Sequence, residues 1–386
     1  VKLEAPWLEL PEVRILAQAF AGAELRFVGG CVRDTLLGRA VHELDAATSA
    51  LPEQVIALLE AAGLRAIPTG LAHGTVTALV NGRSFEITTL RKDVTTDGRH
   101  AEVAFTDAWE EDAQRRDFTM NALYVGLDGT LYDYVGGLAD CKAGLVRFIG
   151  DAASRIQEDY LRILRYFRFV ATAGNHRFDE QALAACGAHK QGIAQLSGER
   201  IAAELLKLLA AEQCASVLAR MEAEGILAFV LPGCKFPASA LEKLDGLQAP
   251  ALVKLAALVT DVAATAKHLK LSSKQVKSLE LWREQAAEVS PAMTILQQQK
   301  MVRRLGGDHY LCTLQLACAL SGHEWEAYAP LAAMQSWAPP VFPVTAGDLL
   351  QRGFNEGKSL GDALRKMEIA WEESGYSLGR DQLLRD

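Results

Sequence analysis

Two carboxylates stand two residues apart in His42-Glu43-Leu44-Asp45, on a segment that reads as a β-strand. On a strand, i and i+2 side chains share a face, and carboxylates so placed can hold divalent metals. Two-metal phosphoryl chemistry needs such a cluster: one ion lowers the pKa of an attacking hydroxyl, and the other screens a polyphosphate and its leaving group. A third acid, Glu86 in Phe85-Glu86-Ile87-Thr88-Thr89, stands on a later strand, with a plain surface charge as its competing reading. Upstream, Phe27-Val28-Gly29-Gly30-Cys31-Val32-Arg33-Asp34 is a strand running into a double glycine and a helix start. Gly29 and Gly30 allow close backbone approach, the helix end offers free N–H groups to an anion, and Arg33 can pair with phosphate oxygens. Alone, such a motif is more often only a turn. Arg115-Arg116-Asp117 with Asn121 reads as a charged turn before an apolar run. Asp159 and Arg162, at i and i+3, are expected on one helical face, where a surface ion pair is the plain reading.

The elements that must position these residues fall into two kinds. From 24 to about 150, short apolar or alternating runs separated by turn signals predict strands: ELRFVGG, ELDAATS, RAIPTG, HGTVTALV, SFEITTL, ALYVGLDGTLYDYV and GLVRFIG. A helix over 52–62 fits between them, with Pro52 in its first turn and Gly63 closing it. The N-terminal part is therefore expected to be α+β. After Gly150 the periodicity becomes helical, over 151–172, 199–211, 214–229 and 248–268, and the rest of the chain is expected to be all-α. Softer boundaries fall at Pro232-Gly233, Ser290-Pro291 and Pro339 to Pro343.

With 386 residues, 50% of them hydrophobic and 23% charged, the chain has the composition of a globular protein of two or three domains. No stretch approaches the length of a membrane-spanning helix. The segment VKLEAPWLELPEVR has early acids and no basic-then-apolar pattern, so a cytoplasmic protein is expected. Seven cysteines without a CxxC pair argue against a zinc ribbon and a disulfide framework, and read as small buried residues. A net charge of −8 gives no bulk argument for nucleic-acid binding, so an RNA partner would have to meet a local basic surface. Lys267, Lys270, Lys274 and Lys277, set between apolar positions, offer one; a solvated face is the alternative. Gly353 to Ser359 (GFNEGKS) has its glycines four apart instead of the five of a P-loop and reads as a turn opening a helix. No His-Asp hydrolase pair is present downstream.

GGCVRD followed by ELDAATSALPEQV resembles the class II tRNA nucleotidyltransferases (CCA-adding enzymes) and the related bacterial poly(A) polymerases, of the polymerase β-like superfamily. PTGLAHGTVT at 68–77, RRDFTMNAL at 115–123, EDYLRILRYFRF at 158–169 and ERIAAELLKLL at 199–209 extend the resemblance over most of the chain. It implies a nucleotidyltransferase head (1–150), a helical neck that recognises the nucleotide base (151–212), a helical body (213–340) and a helical, tRNA-binding tail (341–386). It also implies two Mg2+ ions at Glu43 and Asp45, with CTP, ATP and the tRNA acceptor arm as partners; no obligate protein partner is evident from the sequence. By the same resemblance, Gly29, Gly30, Arg33, Arg116, Asp117 and Asn121 hold the sugar and triphosphate. Asp159 and Arg162, supported by Arg165, would then replace a nucleic-acid template by hydrogen-bonding the edge of C or A.

Family members usually carry Asp-x-Asp where this chain has Glu43-Leu44-Asp45. The extra methylene shifts an oxygen by about an Å, a displacement that can cost substantial rate at a preorganised site. Complete CCA addition is the first reading, because PTGLAHGT lacks the arginine-rich stretch of the poly(A) polymerases and the loop Arg91 to His100 is full length. A-adding or poly(A) activity is the alternative, and a catalytically weak tRNA-binding protein is the reading that Glu43 would favour.

Overall fold

The computed structural model describes residues 1–97 and 100–385. Its strands are Leu25–Val28 (β1), Leu44–Thr48 (β2), Arg65–Gly70 (β3), Thr75–Val80 (β4), Arg83–Thr89 (β5), Arg91–Asp97 (β6), His100–Phe105 (β7), Leu123–Gly126 (β8) and Leu131–Asp133 (β9). Every residue of β1 is buried, even Arg26, whose guanidinium lies between the Trp109 and Tyr132 rings. A strand with no solvated face belongs inside a sheet, and β1 lies between β2 and β8 in the order β3-β4-β5-β2-β1-β8-β9. Every pairing is antiparallel except β2 beside β5. That parallel pair requires a crossover, supplied by helix Pro52–Ala61 and the β3–β4 hairpin. Its register sets Asp45 directly beside Glu86.

The helices of this part are Pro11–Ala19 (α1), Gly30–Leu36 (α2), Pro52–Ala61 (α3), Trp109–Arg115 (α4), Gly137–Ala143 (α5), Ala152–Glu158 (α6), Leu161–Thr172 (α7), Glu180–His189 (α8) and Gly198–Leu209 (α9). Asp151 and Asp179 cap α6 and α8 by accepting from the Ser154 and Ala182 N–H groups. Helix α9 buries Ile201, Ala202, Leu205, Leu208 and Leu209 along one stripe, with Glu204 the single charge among them. The mixed-sheet head followed by helices is the α+β-then-α architecture expected.

Several expected elements differ. GLVRFIG over 144–150 is not a strand. It makes only isolated bridges, Leu145 to Arg177 and Phe148 to Phe118; at the second the Arg147 carbonyl accepts from the Thr119 N–H and the Ile149 N–H donates to the Asp117 carbonyl, and the pairing goes no further. The loop from Arg91 is a two-stranded ribbon, β6 on β7; residues 98 and 99 of it lie outside the described residues. The helix expected over 151–172 breaks at Asp159, which is extended (φ −156°, ψ 106°). Its own carboxylate accepts from the Leu161 N–H, a local bond that competes with helix continuation. Gly225, at positive φ, ends the helix expected to run to 229, and the one expected over 248–268 stops at Leu258 and restarts after Asp261.

The chain packs as two units. One comprises Val1–Phe236 with Val259–Leu271, and the other Pro237–Leu258 with Ser272–Asp386. The second is helical, and its C-terminal segment has a small core of its own around Trp371, Leu349, Leu360 and Leu383. Gly353 and Gly357, both at positive φ, sit in the turns before the helix Lys358–Glu373. Five of the seven cysteines are buried, and Cys234 and Cys312 are half-buried. Among the described residues no helix is long and apolar enough to cross a membrane.

Gly137, at the start of α5, leaves no room for a side chain, since a Cβ there would lie 2.1 Å from the carbonyl oxygen of Thr119. Thr119 opens the short turn that carries Asn121. Gly137→Ala is therefore expected to cost about 1 to 3 kcal/mol, because the clash is with main chain. Urea unfolding checks this, and an unchanged midpoint would refute it.

Candidate active site

One cavity of about 620 Å³ in the first unit is lined by all twelve residues expected to do catalysis or nucleotide binding: Gly29, Gly30, Arg33, Glu43, Asp45, Glu86, Arg116, Asp117, Asn121, Asp159, Arg162 and Arg165. The sheet supplies one bank. Asp45 and Glu86 are neighbours across β2 and β5, and Glu43 stands just before β2 begins. Burial, and then the charges of Glu86 and Glu43, push the Asp45 carboxyl up to about 6, with Arg116 opposing. A site that raises a carboxylate in this way is short of positive charge. Its donors are all carboxylate oxygens, the chemistry of a hard divalent cation. Among the described residues no group of three or more His, Cys, Asp or Glu is arranged to hold an ion unaided. The carboxylates of Asp45 and Glu43 in one cavity fit Mg2+, which is usually bound by one or two carboxylates together with substrate phosphates and water. Asp45 and Glu43 are the residues that would hold it.

The opposite bank is arginine. Arg33 forks onto Asp34 at 2.9 Å and donates to Asn121 Oδ1 at 2.7 Å. Asn121 Nδ2 in turn donates to Asp117 Oδ1 at 3.1 Å, and Arg165 Nε donates to Asp117 Oδ2 at 2.9 Å. Burial alone would raise Asp117, but Arg165, Asn121 and the Phe118 N–H hold it below its ordinary value. Arg168 donates to the buried Glu204 at 2.5 Å, and the same carboxylate lies 3.7 Å from Arg165. The Phe169 ring sits among three of these guanidiniums, with Arg168, Arg33 and Arg165 at 4.0, 5.1 and 5.5 Å from its centroid.

Asp159 and Arg162 both reach the cavity, but not as a pair on one helical face. The break between α6 and α7 separates them, and each is held by a different partner. Asp159 Oδ2 accepts from Arg200 Nη2 at 2.7 Å, while Arg162 Nη1 donates to Glu158 Oε2 at 2.5 Å and to the Arg155 carbonyl at 2.7 Å. Tyr160, between them, lies so close over Gly192 that a Cβ there would fall 2.0 Å from its ring. Arg165 braces Asp117, stands 5.5 Å from the Phe169 centroid and also interacts electrostatically with Asp159.

Arg91, Arg115, Arg168 and Phe169 also line the cavity and were not among the expected site residues. The periodicity of α7 could have found Phe169, which follows Arg162 and Arg165 on one ridge. Nothing local marks Arg200, which is 41 positions from its partner. The four lysines lie outside this cavity and are all exposed. Lys267 and Lys270 belong to the first unit and Lys274 and Lys277 to the second, where the latter two line a separate cavity of about 410 Å³ with Ser273 and His309.

Residues 25–147 match the family described as "Poly A polymerase head domain", and residues 176–236 that described as "Probable RNA and SrmB- binding site of polymerase A". The chain is 38% identical to the mouse (Mus musculus) mitochondrial CCA tRNA nucleotidyltransferase 1, over all of this chain and 92% of that protein. It is 33% identical to the CCA-adding enzyme of Levilactobacillus brevis, over 90% of this chain and 89% of the relative. It is also similar to the crystal structure of the Bacillus stearothermophilus CCA-adding enzyme in complex with CTP, with a TM-score of 0.79 and 27% identity over 95% of this chain and 94% of that one. A sheet that sets acids beside arginines, joined to an α-helical remainder, is here the frame of a nucleotidyltransferase. The chain belongs to the CCA-adding tRNA nucleotidyltransferase family, whose members are divalent-metal-dependent enzymes.

Asp45→Asn keeps the size of the side chain and removes its charge. It is expected to weaken Mn2+ binding in the presence of CTP at least about tenfold, since even outer-shell changes around a metal cost that much. Electron paramagnetic resonance of free Mn2+ measures it, and unchanged affinity would remove Asp45 from the ligand set.

Proposed function

We propose that this protein adds C, C and A in turn to the 3′ end of tRNA, using CTP and ATP. The observation that carries the reading is the single cavity in which the carboxylates of β2 and β5 face Asp159 and Arg162. The relatives, named for CCA addition, do not favour A-only or poly(A) synthesis, nor a protein that binds tRNA without acting on it. In this reaction the terminal 3′-hydroxyl attacks the α-phosphorus of the nucleoside triphosphate, the bond to the bridging oxygen breaks, and pyrophosphate leaves.

We assign two Mg2+ ions to Glu43 and Asp45, with Glu86 beside them; when bound, divalent metal there acidifies the attacking hydroxyl and screens the triphosphate. Gly29, at φ +76°, and Gly30 bring the backbone close to the phosphates, which Arg33 and Arg116 pair. Asp117 and Asn121 face the ribose, where an acid and an amide can bond its hydroxyls. Each oxygen of Asp159 makes one hydrogen bond in the protein and keeps acceptor capacity for a base amine. Cytosine and adenine offer an exocyclic amine to an acid and a ring nitrogen to an arginine, whereas uracil reverses both demands. Exposed Lys267, Lys270, Lys274 and Lys277 are assigned to RNA phosphates, so tRNA affinity falls with salt despite the acidic net charge. Action in the cytoplasm is part of the same proposal.

Incubation with a tRNA lacking its 3′ CCA, with CTP and ATP separately and together, should yield CC with CTP alone and CCA with both. Product ends restricted to A, or no extension, would overturn the reading. Asp159→Ala should raise UTP or GTP use relative to CTP by about tenfold or more, because each mismatched pairing costs about 1 to 3 kcal/mol. The ratio of kcat/KM values for the four nucleotides measures it; an unchanged ratio would place base selection elsewhere.

A further inference from the structure

Arg115 and Arg116 are adjacent in sequence, both line the cavity, and both are held by one carboxylate, Asp112, one turn back on α4. Asp112 is 1% exposed. Its Oδ1 accepts from Arg115 Nε at 2.8 Å. Its Oδ2 accepts from Arg116 Nε and Nη2 at 3.2 and 3.0 Å and from the Tyr124 hydroxyl at 2.7 Å. The Arg91 N–H, at the foot of the ribbon, points at Oδ1 from 3.4 Å. Burial alone would raise this carboxyl, yet the two guanidiniums and the Tyr124 hydroxyl hold it down to about 2.

Two cations one residue apart repel each other, and the carboxylates across the cavity attract both. Arg116 already acts electrostatically on Asp45. Closing onto Asp45, Glu43 and Glu86 would cancel the acids that the metal needs and withdraw the guanidinium from the phosphates. Asp112 opposes that collapse from behind, because its oxygens and the Tyr124 hydroxyl, which Arg116 Nε meets at 3.1 Å, fix the guanidinium plane.

We propose that Asp112 is the positioning residue for the polyphosphate of the incoming nucleotide: it holds Arg115 and Arg116 back from the carboxylates and aims them at the phosphate chain. This rests on reading the cavity as a nucleoside triphosphate site. Asp112 itself touches neither substrate nor reacting atoms.

The test compares CMP and CTP binding by calorimetry in the full-length parent and in Asp112→Asn, with steady-state kinetics alongside. Asp112→Asn should weaken CTP roughly tenfold or more and leave CMP within about twofold, with KM for CTP rising more than kcat falls, because only the phosphate chain loses charge-assisted partners. Equal losses for CMP and CTP would mean general damage to the fold, and unchanged CTP affinity would mean the arginines need no support; either overturns the proposal. Should Asp112→Asn fail to fold, Tyr124→Phe keeps the carboxylate and both arginines while removing the hydroxyl that Asp112 and Arg116 use. It should weaken CTP, and not CMP, by about threefold or more, since two hydrogen bonds are lost; a loss shared by CMP, or none, again overturns it. If the parent binds CTP no better than CMP, the triphosphate reading itself fails. If the parent prefers CTP and Asp112→Asn keeps that preference, only the role of Asp112 fails.

Discussion

The site depends on opposite charges facing each other across one cavity without neutralising each other. Left free, the cavity arginines would close on Asp45, Glu43 and Glu86, and the resulting ion pairs would bind neither metal nor phosphate. The protein prevents this by giving arginines acids of their own. Asp34 holds Arg33, Asp112 holds Arg115 and Arg116, Glu158 holds Arg162, Asp117 holds Arg165, and Glu204 holds Arg168. A buried charge left unpaired is strongly destabilising, so these acids maintain the fold as well as the site. The carboxylates at Asp45 then keep their unmet demand for positive charge, visible as the raised carboxyl of Asp45 itself.

The same constraint joins the sheet to helices α6, α7 and α9. Asn121 links Arg33 to Asp117, Asp117 links on to Arg165, and Glu204 meets both Arg165 and Arg168, so hydrogen bonds and ion pairs run from α2 to α9 through the cavity wall. Arg155 of α6 adds a second tie by donating to the Arg116 carbonyl at 2.8 Å. A side chain that moves in this network changes the partners of the next. The residues assigned to phosphate, ribose and base are thus mechanically one group, although they come from three separate stretches of sequence, 29–33, 116–121 and 159–162.

Charge at the scale of the whole chain says little about such a site. The net value of −8 coexists with a cavity that gathers Arg33, Arg91, Arg115, Arg116, Arg162, Arg165 and Arg168. Five acids, Asp34, Asp112, Asp117, Glu158 and Glu204, partner those arginines, and the acids that set the net value are mostly elsewhere among the chain's 48, so an acidic composition and an anion-binding cavity are consistent.

The sequence by itself determined most of the local elements and the chemical inventory. Alternation and turn residues marked β1, β2, β4 and β5, Pro52 and Gly63 bounded α3, and the acids, glycines and arginines of the site stood out as residue types at telling spacings. These features depend on neighbours a few residues away, and short-range geometry is what a sequence displays. Tertiary structure decided the rest. Segment 144–150 alternates like a strand but finds no strand beside it, and the break at Asp159 depends on a side-chain bond that competes with the helix, with Tyr160 seated on Gly192 and Arg200 on the carboxylate. The pairing of Asp45 with Glu86 needs a parallel register 41 residues apart, and the support of Arg115 and Arg116 by Asp112 becomes meaningful only once the sheet places an opposing charge across the cavity. Which charges meet is set by packing of distant segments, because electrostatic partners are chosen by distance in space and by burial, and neither is a property of the sequence order alone.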